Sequence, residues 1–119
     1  MITIEKNNLI FDLGFHKGED TIYYLSKGYK VVAVEANKEL YQKGIKRFQN
    51  DISKNYLTLI NKGIYYFSYK EIKFYVNKNK STWGSIKKEL AEQDNSKSEI
   101  QYIKTIAFYD LCTLYGIPH

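Results

Sequence analysis

The chain has 119 residues, 44% of them hydrophobic and 16% aromatic, which is enough for one domain with a modest core and too apolar for a disordered segment. Its net charge of +5 comes from 18 basic against 13 acidic side chains, and only Arg47 among the basic ones is arginine. Base-specific nucleic-acid reading favours arginine's planar fork, so the lysines read as a solvated surface and no specific nucleic acid is expected.

Cys112 is the single cysteine and excludes an internal disulfide; with His16 and His119 as the only histidines, a structural zinc site lacks ligands. No apolar run reaches the length of a membrane span, and the opening MITIEKNN lacks a signal-peptide core. The default expectation is a cytoplasmic protein.

In chain order, residues 9–13 form a short apolar run that carries Asp12 inside it and ends at Gly14. A charge there needs a partner or a strand-end position. Residues 19–27 predict a helix, with Ile22 and Leu25 at helical spacing and Tyr23 and Tyr24 widening the stripe. Glu19 and Asp20 suit its start and Gly28 its end. Residues 30–35 are β-branched and nearly continuous, as in a buried parallel strand, and they close on Glu35. A second helix is expected over 38–50, with Leu40, Ile45 and Phe48 on its apolar side, and a third strand over 56–60.

Beyond residue 60 the pattern changes. Residues 64–68 and 72–76 are aromatic-rich runs separated by Tyr69-Lys70-Glu71, and they predict a hairpin. Residues 77–99 are polar, with a short helix expected from Ser85 to Glu92; residues 100–106 alternate as a strand; residues 108–115 give a helical turn stopped by Gly116 and Pro118. The interleaved aromatics at Tyr65, Tyr66, Phe67, Phe74 and Tyr75 fit hairpin packing better than an RNA-binding sheet face. Cys112 reads as a small packed hydrophobe.

The order is β-α-β-α-β, then a hairpin and a last strand. This is an α/β domain spanning 1–119, the N-terminal half of a doubly wound, mostly parallel sheet. Such a sheet normally has a strand on the far side of the first one, and without it residues 9–13 would form an exposed edge. A truncated chain, a homo-oligomer joined at that edge, or a completing polypeptide is therefore expected.

A strand, a glycine turn and a helix start expose unpaired N–H groups that suit a ligand. The spacing Asp12-x-Gly14-x-x-x-Gly18 lacks the close G-x-G-x-x-G of a dinucleotide site and the G-x-x-x-x-G-K-[ST] of a triphosphate loop. Glu35, at the next strand's end, suits a ribose diol. A ligand with ribose, carboxylate and ammonium but no phosphate fits, and S-adenosylmethionine is such a ligand. Asp12 would meet its ammonium group directly or through water. Tight-turn roles for the glycines and a capping or salt-bridge role for Glu35 remain open.

The stretch FDLGFHKGEDTIYYLSKGYKVVAVEAN resembles the opening of FkbM-like S-adenosylmethionine-dependent methyltransferases. Asp12, Gly14, His16, Gly18, Asp20 and Thr21 fall on a D-x-G-x-H-x-G-x-D-T pattern, and Glu35 on V-x-A-V-E-A. The similarity continues through Asn61-Lys62-Gly63-Ile64, the EIKFYVN strand and Ser81-Thr82-Trp83-Gly84-Ser85.

The resemblance implies a Rossmann-like methyltransferase fold. It also implies a cofactor pocket at Asp12, Gly14, His16, Gly18, Thr21 and Glu35, and O-methyl transfer to a small molecule or sugar. In that family a segment like Leu114-Tyr115-Gly116-Ile117-Pro118 runs on into a strand with a K-x-D-x-E-G signature, which this sequence does not contain. A non-catalytic remnant acting as an oligomerising binding or structural module is the alternative. His16 is the candidate base, set against a cofactor contact or a loop-stabilising bond. Thr21 and Asp20 have helix capping as their competing role, Trp83 is a lid anchor or a loop pin, and Ser85 is a helix cap.

Overall fold

The computed structural model describes residues 8–77 and 98–119. The short helix expected near Ser85, Trp83 and the Ser81–Ser85 motif lie outside the described residues.

The first three strands are β1 (Leu9–Leu13), β2 (Lys30–Val34) and β3 (Leu57–Ile60). They form a parallel sheet in the order β1-β2-β3, with Leu13 opposite Val34 and Val34 opposite Ile60. Parallel neighbours need crossovers. Here they contain α1 (Glu19–Ser26) between β1 and β2, then α2 (Lys38–Arg47) and α3 (Gln49–Ser53) between β2 and β3. The chain belongs to the α/β class.

Alternation along the strands builds two cores. Val31, Ala33, Leu57 and Leu59 face one side and pack with Phe15, Phe48, Tyr24, Leu25 and Ile45. Val32 and Val34 face the other and pack with Leu9, Phe11, Ile60, Ile106 and Leu111. Leu111 belongs to α4 (Phe108–Tyr115), a full eight-residue helix where the sequence suggested only a turn. Among the described residues β1 stands at the edge of the sheet, as expected, with Leu9, Ile10 and Phe11 half-buried by the layers on its two faces and Leu13 exposed. His119 N donates to Leu9 O at 2.6 Å.

Three local expectations need correction. In α1 the covered face is Thr21, Tyr24 and Leu25, while Ile22 and Tyr23 are exposed, because positions three and four apart share a face and Thr21 sets its register. The second helix breaks at Phe48, whose φ of −107° and ψ of 21° leave the helical range, and then restarts as α3.

The hairpin between residues 64–68 and 72–76 does not form. Only β4 (Gly63–Ile64) is extended there, and it pairs in parallel with β6 (Ser98–Ile106). The antiparallel partner of β5 (Glu71–Asn77) is also β6, with Ile72 opposite Ile103. Tyr69 adopts a φ of 60° and donates its N–H to Thr105 O at 2.8 Å, so residues 65–70 turn onto the end of β6 instead of doubling back on β5.

Candidate functional site

The carboxyl ends of β1 and β2 lie side by side, and the turn after β1 folds across the end of β2. Gly14 N and Phe15 N both donate to Val34 O, at 3.0 and 3.1 Å. Gly14 has a φ of 123° and Gly18 a φ of 91°, left-handed conformations that favour glycine. His16 also takes a positive φ, 55°. Gly18 is required for space as well: a Cβ there would meet Phe48 Cε2 at 2.7 Å.

Glu35 organises this end of the sheet. Its side chain is buried, yet both carboxylate oxygens are satisfied by the backbone. Oε1 accepts from His16 N at 2.7 Å and Oε2 from Asn37 N at 2.8 Å. The His16 imidazole stands half-exposed at the mouth, with Nδ1 4.0 Å from the same Oε1. Asn37 caps α2, its side chain accepting from Glu39 N and Leu40 N. Asn61 completes the collar by donating to Glu35 O at 2.9 Å and Ala36 O at 3.2 Å. A carboxylate offers about four acceptor positions, so two backbone donors leave capacity for a ligand.

These residues wall a cleft of about 190 Å³, lined chiefly by Gly14, His16, Glu35, Lys62, Ile64 and Phe74. Of the residues expected to contact a cofactor, Gly14, His16 and Glu35 are brought together there. The others stand behind the wall. Thr21 is fully buried and donates to Asp12 Oδ2 at 2.7 Å; it is the third residue of α1 and does not cap it, since Gly18 holds the N-cap position. Gly18 packs on Phe48, away from the opening. Burial raises the Asp12 carboxyl pKa above its ordinary value of 3.8, and the Thr21 hydrogen bond only partly offsets this.

Sequence reasoning missed the roles of Lys62 and Phe74 in the wall and of Asn37 and Asn61 in fixing it. An asparagine directly after a strand and before a helix-compatible run is a capping signal, and Asn37 could have been found by it. Phe74 comes from β5, and nothing in its local pattern points to Glu35.

A second hollow of about 250 Å³ lies between the same loop and α2, lined by Phe15, Leu40 and Gly44 with Lys17, Lys43 and Arg47 at its rim. Two of these cations are already engaged: Lys43 pairs with Glu39 at 2.9 Å and Arg47 donates to Lys17 O at 3.0 Å.

Among the described residues no helix is long and apolar enough to cross a membrane. Comparison with protein-family models, with curated proteins and with solved structures found no match for this chain.

Proposed function

We propose that this is a Rossmann-like, FkbM-like methyltransferase domain that binds S-adenosylmethionine at the Glu35 cleft and directs the methyl group to a hydroxyl oxygen. The observation that carries the reading is the meeting of Gly14 and Glu35 in one cleft at the carboxyl ends of adjacent parallel strands. Ligands of open α/β sheets bind at that end.

The residues fit the group. Glu35 keeps acceptor capacity for a ribose diol, and the wall offers the apolar faces of Ile64 and Phe74 for a base. At about 190 Å³ the cleft is smaller than the roughly 300–1,000 Å³ of ordinary ligand pockets, so it would enclose only part of the cofactor. Asp12 is buried and does not line the cleft, so the expected contact with an ammonium group is no part of this reading.

S-adenosylmethionine held by Gly14 and Glu35 would supply an electrophilic methyl group to a hydroxyl acceptor, and the protein's part would be to orient that hydroxyl and take its proton. His16 carries the one imidazole in the cleft wall and is the candidate for that proton. Its backbone bond to Glu35 meanwhile holds the turn in place.

A second reading, a non-catalytic module that keeps the architecture, is favoured by one specific observation. Both Glu35 oxygens already have backbone partners, which explains a buried acid without any ligand. Amide NMR shifts on adding S-adenosylhomocysteine separate the two. Methyltransferase-type binding moves the signals of Gly14, His16, Ala36 and Gly63 in a saturable way. Unmoved signals, or shifts confined to Lys17, Lys43 and Arg47, would leave only the second reading.

A further inference from the structure

The hollow between the turn after β1 and α2 is built differently from the Glu35 cleft. Its floor is made of core side chains: Phe15 is 2% exposed and Leu40 4%, with the backbone of Gly44 beside them. Three cations from two segments stand around that floor, Lys17 from the turn and Lys43 and Arg47 from α2. Their aliphatic stems extend the apolar wall while the charges stay at the rim. At about 250 Å³, and about 30 Å³ for each water it would hold, the hollow has room for roughly eight non-hydrogen atoms.

Arg47 is the only arginine in the chain, and its guanidinium is held in place. Nη1 donates to Lys17 O at 3.0 Å, and the group lies over the Phe48 ring, 5.4 Å from its centroid. A guanidinium carries five N–H donors, so this one bond leaves most of them for a ligand. A planar fork fixed in this way suits a carboxylate, which it meets with two parallel bonds. Lys17 forms no ion pair among the described residues. Lys43 pairs with Glu39, but both side chains are well exposed, and such a pair contributes little. Glu39 lowers the excess positive charge at the rim, so a head group with a single negative charge is the match.

We propose that this hollow binds a small aliphatic carboxylate, with its chain against Phe15 and Leu40 and its head group between Arg47 and Lys17. Apolar burial and charge pairing then act at opposite ends of one small ligand. The site does not depend on what occupies the Glu35 cleft, although His16 lines both hollows.

The test is an NMR titration of the full chain with hexanoate, against acetate, hexan-1-ol, hexylamine and inorganic phosphate. Because Arg47 is the one arginine, its Nε–H gives a single side-chain signal to follow. Lys17→Ala and Arg47→Lys are run alongside, with circular dichroism to check folding; Lys17→Ala keeps the carbonyl that receives Arg47. Hexanoate is expected to bind in the millimolar range, which a ligand of this size allows, and to move Arg47 Nε–H and the amides of Lys17 and Gly44. Each substitution should weaken it about fivefold, and each of the other probes should bind at least about fivefold more weakly. An alcohol or amine that equals hexanoate would remove the charge requirement, and acetate or phosphate that equals it would leave the apolar floor idle. Either result overturns the proposal. So does an absence of saturable shifts, unchanged affinity in both variants, or shifts centred on Ala36 and Gly63, which would put the ligand in the Glu35 cleft.

Discussion

Asp12 sits in surroundings that disfavour its charged form. It is buried, raised above the ordinary carboxyl value of 3.8, and has the Thr21 hydroxyl as its hydrogen-bond donor. As pH rises from 3.8, the unfolded carboxyl releases its proton before the folded one does, so folding stability falls across that interval and stays lower at neutral pH. Asp12→Asn is accordingly expected to raise the melting temperature at pH 7 and to lose that gain as pH falls towards 4. Thermal unfolding across this range checks it, and a gain independent of pH would contradict the assignment.

Glu35 supports the fold through its hydrogen bonds, since it satisfies two backbone N–H groups. Glu35→Ala should cost about 2–4 kcal/mol in chemical denaturation, since leaving one buried donor unpaired costs about 1–3 kcal/mol. Glu35→Gln keeps one acceptor oxygen and should cost less, which makes it the better probe of binding. Both acids were legible in the sequence, because a charge in an apolar strand demands a partner. Their partners were only half legible: Thr21 was singled out, but as a cap or ligand contact. The N–H groups of His16 and Asn37 belong to the backbone, which every residue carries, so no side-chain pattern announces them.

At the scale of elements, the close approach of α2 to the sheet depends on Gly44. A Cβ there would stand 2.6 Å from Phe15 Cε1 and 2.8 Å from Leu59 Cδ2. Gly44→Ala gains about 1 kcal/mol of helix propensity but forces overpacking that typically costs about 1–3 kcal/mol. Net destabilisation is the expected result in a denaturant titration, and stabilisation would show that α2 sits further out. The first three strands and the places of the helices between them were readable from period and from start and stop residues, but the covered face of α1 and the break at Phe48 were not.

The pairing of β5 was not readable in the same way. Its aromatic run matched a hairpin with residues 64–68, but the partner strand comes after residues 78–97, and the hydrogen bonds of Thr105 with Tyr69 and Lys70 decide the matter. Such long-range pairing leaves no local mark. The aromatic patch of Tyr65, Tyr66, Phe108 and Tyr109 was hidden for the same reason, since its residues come from segments about forty residues apart that β4–β6 pairing and the Ser68 bonds to Asp110 and Ala107 bring together.

For the molecule as a whole, β2 is the centre. It is paired on both sides, and Val31, Val32, Ala33 and Val34 are between 0% and 4% exposed. Native-state hydrogen exchange should find its amides the slowest, with those of β5, which among the described residues has β6 as its one neighbour, opening at lower cost. Equal protection of the two strands would mean that the sheets unfold as one unit.

The central claim concerns the ends of β1 and β2, where a stable scaffold presents Gly14 and Glu35 to one cleft. Calorimetric titration of the full chain and of Glu35→Gln with S-adenosylmethionine, with NAD and ATP as controls, tests it most directly. The expected result is saturable, one-to-one binding of S-adenosylmethionine that weakens at least about tenfold in Glu35→Gln, with neither phosphate-bearing nucleotide competing, since loss of a charge-assisted hydrogen bond costs about 1.5–3 kcal/mol. No heat from a folded sample, or binding that the substitution leaves unchanged, would contradict it.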